Sequence, residues 1–495
     1  MNEVNGAHPG APGVERHEVA ILGAGFAGLA MAHHLRRVGI DDFVIFERDD
    51  GVGGTWRANS YPGAACDVPS HLYSLSFAPK PDWSRTYATQ PEILSYIEEC
   101  FDRFDLRPNL RLSTTIVAAT WNEVEQCWRL RDDNGIEYEA TVLVSAIGLF
   151  HSPVQPAIEG IDEFEGTVFH SARWNHDHDL AGRQVAVIGT GASAIQIVPA
   201  IAETAERLTV YQRTPAWILP RRDKAFTDDE KARFARRPLA ERRHRWQIYR
   251  QFEKNTTFRT GDPAAAEIGQ MALGYLAHKV PDPDLRAKLT PGYPIGCKRV
   301  LVSSDFYPAV QRDDVELVTE TIERVTPNSI VTADGVERPC DTIVACTGFR
   351  ATDYLRGIDV VGTGSTSLHE HWAGVPGAYL GMAVPGYPNF FMLYGPNTNQ
   401  GGNSIIFILE AQAHYVAAAL RWMQRRRASR VQVRASAMER YDSALQDALA
   451  STVWSGCDSY FRTGAGDIVT QLPHPSRWYW WHTRRVARRD FTFRS

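Results

Sequence analysis

Two segments of this chain each read as a short apolar strand, a glycine turn and a helix. Few folds accept that pattern twice. The first segment is EVAILGAGFAGLAMAHHL, with Gly23-x-Gly25-x-x-Gly28 between strand and helix. In such a turn the first glycine makes the bend and the second lets a pyrophosphate approach the backbone. The third allows close packing of helix on strand, and the helix N-terminus faces the anion. A second strand, in DDFVIFERDD, ends at Glu47. That is the ~20-residue distance expected of an acid that hydrogen-bonds a ribose hydroxyl. An acid there repels a 2′-phosphate, so the unit is read as holding FAD or NAD rather than NADP.

The second segment, GRQVAVIGTGASAIQIVPAI, gives a strand, the turn Gly189-Thr190-Gly191-x-Ser193-Ala194 and a helix. Its following strand, in RLTVYQRTPA, ends in Gln212-Arg213-Thr214 and carries no acid. An arginine at this place accommodates the 2′-phosphate of NADP through a planar, permanently charged fork. Thr190, Ser193 and Thr214 join the glycines and Arg213 as candidate cofactor contacts. One nucleotide site of each kind implies a flavin, FAD, and NADPH in one polypeptide. A hydride donor beside an electron-accepting flavin makes an oxidoreductase the default.

Chain order sets the expected architecture: an α/β protein with two Rossmann-like dinucleotide-binding domains and a helical insertion in the second. Residues 1–16 read as a flexible tail, and the FAD-binding domain is discontinuous, 17–150 and 351–495. A linker, 151–181, precedes the NADP-binding domain at 182–216 and 292–350. The charged, helix-prone stretch 217–291 interrupts that domain. Its arginine run, DDEKARFARRPLAERRHRWQIYRQFEK, reads as a solvated helix face rather than a nucleic-acid site.

Composition narrows the class further. Over 495 residues, 44% are apolar and 22% charged, and the net charge is -5. Such values suit a globular protein with no overall affinity for nucleic acid or an anionic membrane. No apolar run reaches the ~18 residues of a membrane span, and the N-terminus lacks the basic start and apolar core of a signal peptide. The seven cysteines are scattered, with no C-x-x-C pair. They are read as reduced thiols of a cytoplasmic protein rather than a disulfide framework. His176-Asp177-His178 reads as a polar loop, since further ligands at zinc-site spacing are missing.

Three further stretches make the sequence resemble the class B flavin-dependent monooxygenases and, within them, the Baeyer–Villiger monooxygenases. FEGTVFHSARWN carries Phe164-x-Gly166-x-x-x-His170-x-x-x-Trp174, matching the family fingerprint F-x-G-x-x-x-H-x-x-x-W. Trp174 favours the Baeyer–Villiger side over nitrogen- and sulfur-oxidising relatives, while Asn175 stands where the family has proline or aspartate. The resemblance implies that this segment links the two nucleotide domains, with His170 a structural residue. GVGGTWRANSYPGAACDVPSHLYSLSF fits a second signature, and by similarity Thr55, Trp56, Asp67 and Tyr73 line the flavin. Ala65 replaces an arginine common in relatives. In PGYPIGCKRVLVSSDFY the family's Lys-Arg pair is Lys298 and Arg299. By resemblance Lys298 helps bind the 2′-phosphate and Arg299 reaches over the flavin, held by Asp67.

The chemistry supplies a reason for an arginine. The family's C4a-peroxyflavin has to stay deprotonated to attack a ketone, and a cation that keeps its proton stabilises that anion. Amides near Ser404 and Ile405 are expected to face the flavin, whereas Gln400-Gly401-Gly402 departs from the Leu-Gly-His of close relatives. The aromatic, basic tail RWYWWHTRRVARRDFTFRS reads as a lid or as packing over the domain seam. The implied reaction takes a small-molecule ketone, O2, FAD and NADPH to an ester or lactone, with sulfide oxidation on the side. The alternatives are an N- or S-oxygenating enzyme of the same fold and, more remotely, an NADPH–flavin electron-transfer reductase. Substrate and oligomeric state are not legible.

Overall fold

The computed structural model describes residues 14–254 and 259–494; the N-terminal tail expected at 1–16 lies almost wholly outside them. Two parallel sheets form where the two glycine turns place them. In the first, Glu15–Leu22 lies between Phe43–Phe46 and Glu137–Ser145, parallel to both. Val19 to Leu22 are all buried, as expected of a strand covered on both faces. Cys127–Asp132 extends this sheet antiparallel to Glu137–Ser145, and Ile116–Asn122 pairs antiparallel with it in turn, so that it runs parallel to the core strands. The chain returns late: Phe390–Met392 pairs in parallel with Glu137–Ser145, and Asp359–Val361 adds the outer edge. Helix Ile405–Arg425 then lays its apolar stripe, including Ile408, Leu409, Val416 and Leu420, on the same domain.

The second sheet has five parallel strands in the order Val315–Val318, Arg207–Tyr211, Gln184–Ile188, Thr342–Ala345, Thr167–His170. Its last member corrects the linker reading. Thr167–His170 pairs residue for residue with Thr342–Ala345, so the fingerprint supplies the outer strand of the second domain. Four residues are too short a run for periodicity to separate strand from connector.

The inserted region is also divided rather than pendant. Thr227 and Glu230 form a capping box that starts helix Asp228–Arg236. That helix and Pro238–Glu253 pack Phe234, Ile248 and Phe252 onto the first domain's core, beside Phe226 just ahead of the cap. Helices Pro263–Lys279 and Pro283–Leu289 place Leu276, Val280 and Leu289 in the second domain's core. The arginine run is not uniformly solvated. Arg245 turns inward and donates to the His71 carbonyl at 2.7 Å and to Ser74 Oγ at 3.0 Å.

The cysteine reading is corrected too. Cys297 and Cys457 form a disulfide across 160 residues, while Cys66, Cys100, Cys127, Cys340 and Cys346 are free and buried. A pairing made by two remote loops leaves no spacing signature in the sequence.

The domains meet where the Tyr61–Ala65 loop of the first rests on helix Ala194–Ile201 of the second. Gln196 accepts from the Tyr61 hydroxyl at 3.2 Å, and its amide donates to the Ala65 carbonyl at 2.9 Å. Gly63 makes the close approach possible. Its φ is +81°, and a Cβ there would lie 2.6 Å from the Gln196 carbonyl oxygen. Gly135 has nearly the same φ, +82°, with nothing within 4 Å. Gly63→Ala is therefore expected to cost ~1–3 kcal/mol for the strained φ plus the clash, and Gly135→Ala the first part alone. Thermal unfolding of the two variants compares them, and equal losses would mean that the seam yields without cost.

Candidate functional site

The two glycine turns are built alike. Gly23 has φ +107° and would bring a Cβ within 2.8 Å of the Ala146 carbonyl oxygen. Gly189, at φ +111°, would meet the Cys346 carbonyl oxygen at 2.6 Å. Each turn thus lies against the end of a neighbouring strand and leads into a helix N-terminus, the arrangement that receives a pyrophosphate. Gly28 is excluded from bearing a side chain because a Cβ would sit 2.0 Å from the Gly23 carbonyl oxygen. Ala194 fills the matching place in the second turn and is fully buried.

Glu47 sits at the end of the second strand, buried, with its carboxylate spanning the first turn. Its Oε2 accepts from the Ala24 amide at 2.7 Å and Oε1 from the Asp49 amide at 3.0 Å. Burial raises its pKa, and those two amides oppose the rise. Gly25 and Gly54 face each other across 3.2–3.6 Å from their would-be Cβ positions. Residues Thr55–Ala58 therefore begin one helical turn directly beside the first glycine turn. Trp56 donates its indole N–H to the Tyr73 hydroxyl at 3.2 Å, and Tyr73 meets Phe26 edge-on at 5.5 Å. Burial holds the Tyr73 phenol neutral, well above its ordinary pKa. Thr55, Trp56, Tyr73 and Glu47 thus share one crevice with the Gly23–Gly28 turn.

Asp67 and Arg299, far apart in sequence, form an ion pair where the domains meet. Arg299 donates from Nε at 2.9 Å and from Nη2 at 2.5 Å, both to Asp67 Oδ2. The two donors thus converge on one carboxylate oxygen rather than matching the fork. The side chains keep 31% and 28% exposure, so the pair lines an open crevice rather than a sealed core. The Asp67 charge raises the Arg299 pKa further and outweighs the burial that would lower it. Asp67 thus reinforces the positive charge that a guanidinium already carries at ordinary pH.

Two aromatic residues that the sequence reading does not single out stand beside this pair. Tyr394 and Tyr460 both sense the Arg299 and Asp67 charges; burial raises the Tyr394 phenol, while Tyr460 keeps 47% exposure. Tyr394 donates to Asn399 Oδ1 at 2.7 Å, and Asn399 in turn donates to Gln471 Oε1 at 2.5 Å. The place of Tyr394 directly before Gly395-Pro396 is the one available signal.

On the second domain, Thr190 Oγ1 donates to the Thr214 carbonyl at 3.3 Å, joining the turn to the strand end that carries Arg213. Ser193 faces Tyr61 of the first domain. Lys298 comes close enough to Arg213 for that charge to depress its pKa, after burial as the larger cause. Its ammonium stands 5.0 Å over the Tyr293 ring. Neither cation makes an ion pair with an acid among the described residues. Two such cations beside a glycine turn fit a dianionic phosphate.

At the fingerprint, His170 is buried and its Nδ1 accepts from the Ala172 amide at 3.0 Å. Burial lowers its pKa. Phe164 packs against Gly166, and Trp174 meets Phe169 edge-on at 4.9 Å. Asn175 has a local role, its Oδ1 accepting from the Asp177 amide at 3.2 Å. His176 hydrogen-bonds Ser60 of the first domain at 2.7 Å. None of these side chains contacts Arg299 or Asp67.

Ser404 occupies the N-cap position of its helix, but its hydroxyl caps nothing. Its amide is taken by Asn403 Oδ1 at 2.8 Å, which corrects the expectation of a free amide there and leaves Ile405 as the candidate. Gln400 accepts from Ser476 Oγ at 2.7 Å, so the departure at Gln400 docks this loop onto the tail. The tail packs on the first domain. Buried Tyr479 donates to the Leu380 carbonyl at 2.6 Å, and Phe491–Arg494 pairs with Arg430–Val433. No group of three or more potential metal ligands occurs among the described residues, and no helix there is long and apolar enough to cross a membrane.

Known proteins share this arrangement. Residues 20–227 match the family model described as pyridine nucleotide-disulphide oxidoreductase. A Baeyer–Villiger monooxygenase of Pseudomonas aeruginosa is 45% identical over 91% of this chain and 86% of its own. The closed crystal structure of a cyclohexanone monooxygenase superposes with a TM-score of 0.87 at 29% identity, covering 97% of this chain and 100% of that one. An oxidised steroid monooxygenase bound to NADP gives 0.85 at 32% identity, covering 97% and 99%. By sequence and by fold, the chain belongs to the Baeyer–Villiger monooxygenase family.

Proposed function

We propose that this protein is an NADPH-dependent FAD monooxygenase that inserts one oxygen atom beside a ketone carbonyl. The balanced reaction is ketone + O2 + NADPH + H⁺ giving ester or lactone, NADP⁺ and water. The observation that carries the proposal is the Arg299–Asp67 pair in the crevice between the two nucleotide turns. Both turns fit their cofactors, since each leaves backbone space that a side chain would fill. FAD would lie on Gly23, Gly25, Gly28 and Glu47, with Thr55, Trp56, Asp67, Tyr73 and the Ile405 amide around its ring. NADPH would lie on Gly189, Thr190, Gly191, Ser193 and Ala194, its 2′-phosphate on Arg213, Thr214 and Lys298. When bound, NADPH supplies the hydride and FAD turns dioxygen into the oxygen donor.

Arg299 holds a fixed positive charge where negative charge builds on the reacting oxygens. Asp67 keeps the guanidinium in place through its Nε and Nη2, a contact that does not use Nη1. Tyr394 and Tyr460, held protonated, offer neutral hydroxyls at the same place. A soft sulfide needs no such cation, so sulfide oxidation is read as a secondary activity. A reductase serving a protein acceptor would leave Arg299 without a task. The need for NADPH suits a cytoplasmic enzyme.

Incubation with NADPH, a panel of ketones and ¹⁸O2 tests the reading. One labelled oxygen is expected in the ester and one in water; hydrogen peroxide accounting for all NADPH with every ketone would sink it. Arg299→Ala is expected to lower ester formation about 10²–10³-fold. Arg299→Lys is expected to rescue little, since a lysine lacks the planar fork and gives up its proton more readily than an arginine. Lys298→Ala and Arg213→Ala are each expected to raise the KM for NADPH roughly tenfold, the worth of one charge-assisted hydrogen bond. Kinetics with NADH should move little; equal changes with both cofactors would remove the 2′-phosphate assignment.

A further inference from the structure

The Cys297–Cys457 disulfide joins two segments that both reach the site. Cys297 directly precedes Lys298 and Arg299, and Cys457 lies three residues before Tyr460. The segments belong to different bodies. Ile295, beside Cys297, packs with Trp217, Ala265 and Ala272 of the inserted region. Trp454, beside Cys457, packs with Leu445, Leu449 and Phe461 of the C-terminal part. Apart from the sulfur bridge, the Trp454 indole donates to the Gly296 carbonyl at 2.9 Å, and Val453 packs against the Ile295 cluster as well as its own. Cys297 is fully buried, whereas Cys457 is half-buried.

We propose that this disulfide is a redox-sensitive brace that positions Lys298 and Arg299 against the C-terminal segment bearing Tyr460. The proposal rests on the reading of Lys298 and Arg299 as residues that face the cofactors. Cut, the brace leaves the Lys298-Arg299 segment held to the C-terminal part by the Trp454–Gly296 bond and the Val453 contact, neither covalent, and the phosphate-facing cation loses its fixed place.

The exchange chemistry follows from exposure. A thiolate of a dithiol reductant attacks the accessible Cys457 sulfur, the S–S bond breaks, and Cys297 leaves as a thiolate that takes a proton. The reductant's second thiolate then displaces Cys457, so two electrons pass and the reductant becomes a disulfide. Re-formation needs a two-electron oxidant such as hydrogen peroxide: two thiols and one peroxide give the disulfide and two waters.

Titration of the FAD-loaded protein with NADP⁺ tests the brace, before and after treatment with dithiothreitol. Thiol counts under denaturing conditions should be five untreated and seven after reduction. The Kd for NADP⁺ is expected to rise roughly tenfold on reduction, and Cys457→Ser should show the weakened value with or without reductant. If that variant does not fold, reduction of the natural protein carries the test alone. Seven thiols before reduction would overturn the proposal. So would a lower melting temperature with unchanged NADP⁺ affinity. Because the readout is binding, it separates from the oxygenase reading. Unchanged affinity with normal ester formation removes only the brace, while weakened affinity with peroxide as the sole product upholds the brace and removes the oxygenase.

Discussion

One charge pair organises the centre of this molecule. Asp67 is carried by the first domain's YPGAACD loop, and Arg299 by the segment that re-enters the second domain after the inserted helices. Burial of a guanidinium disfavours its charge, and a carboxylate at hydrogen-bond distance favours it. Here the carboxylate wins, and Arg299 is held as a permanent cation. That outcome requires the two loops to arrive together, so the positions of both domains are written into one contact. The seam around it is polar: Gln196 with Tyr61 and Ala65, and His176 with Ser60. Polar interdomain contacts of this kind permit relative motion more readily than a shared apolar core.

The inserted helices limit that motion. Their first half is packed into the first domain's core and their second half into the second domain's core. Arg245 fixes the first half by donating to His71 and Ser74, a few residues beyond Asp67. The loop that bears Asp67 is thereby pinned from the second domain at Tyr61–Ala65 and from the insertion at His71–Ser74.

What can be read in advance is whatever depends on local backbone constraint. The glycine turns, the acid at Glu47 and its absence after Arg207–Tyr211 declare themselves because each is set by a few neighbouring residues. Arg299 and Asp67 are legible only through resemblance, since no spacing rule joins two such remote positions. Tyr394 and Tyr460 escape notice because an aromatic residue at a loop edge reads as ordinary packing. The Thr167–His170 strand escapes because four residues carry no usable period. The disulfide is hidden because its halves belong to bodies whose approach is a tertiary result. Gln196 looks like a polar residue within an apolar helix, and only the docked loop shows why it is polar.

The fingerprint segment begins as the outer strand of the second sheet, and just past Trp174 it reaches the hydrogen bond between His176 and Ser60. A sheet edge is stiff, and Ser60 precedes the loop that leads through Gly63 to Asp67. Any turn of the second sheet relative to the first has either to break that bond or to drag the loop along. His170, locked onto the Ala172 amide, holds the corner from which this arm projects. The motif is thus a mechanical gauge between the two domains, set by the length of one strand and one tight corner.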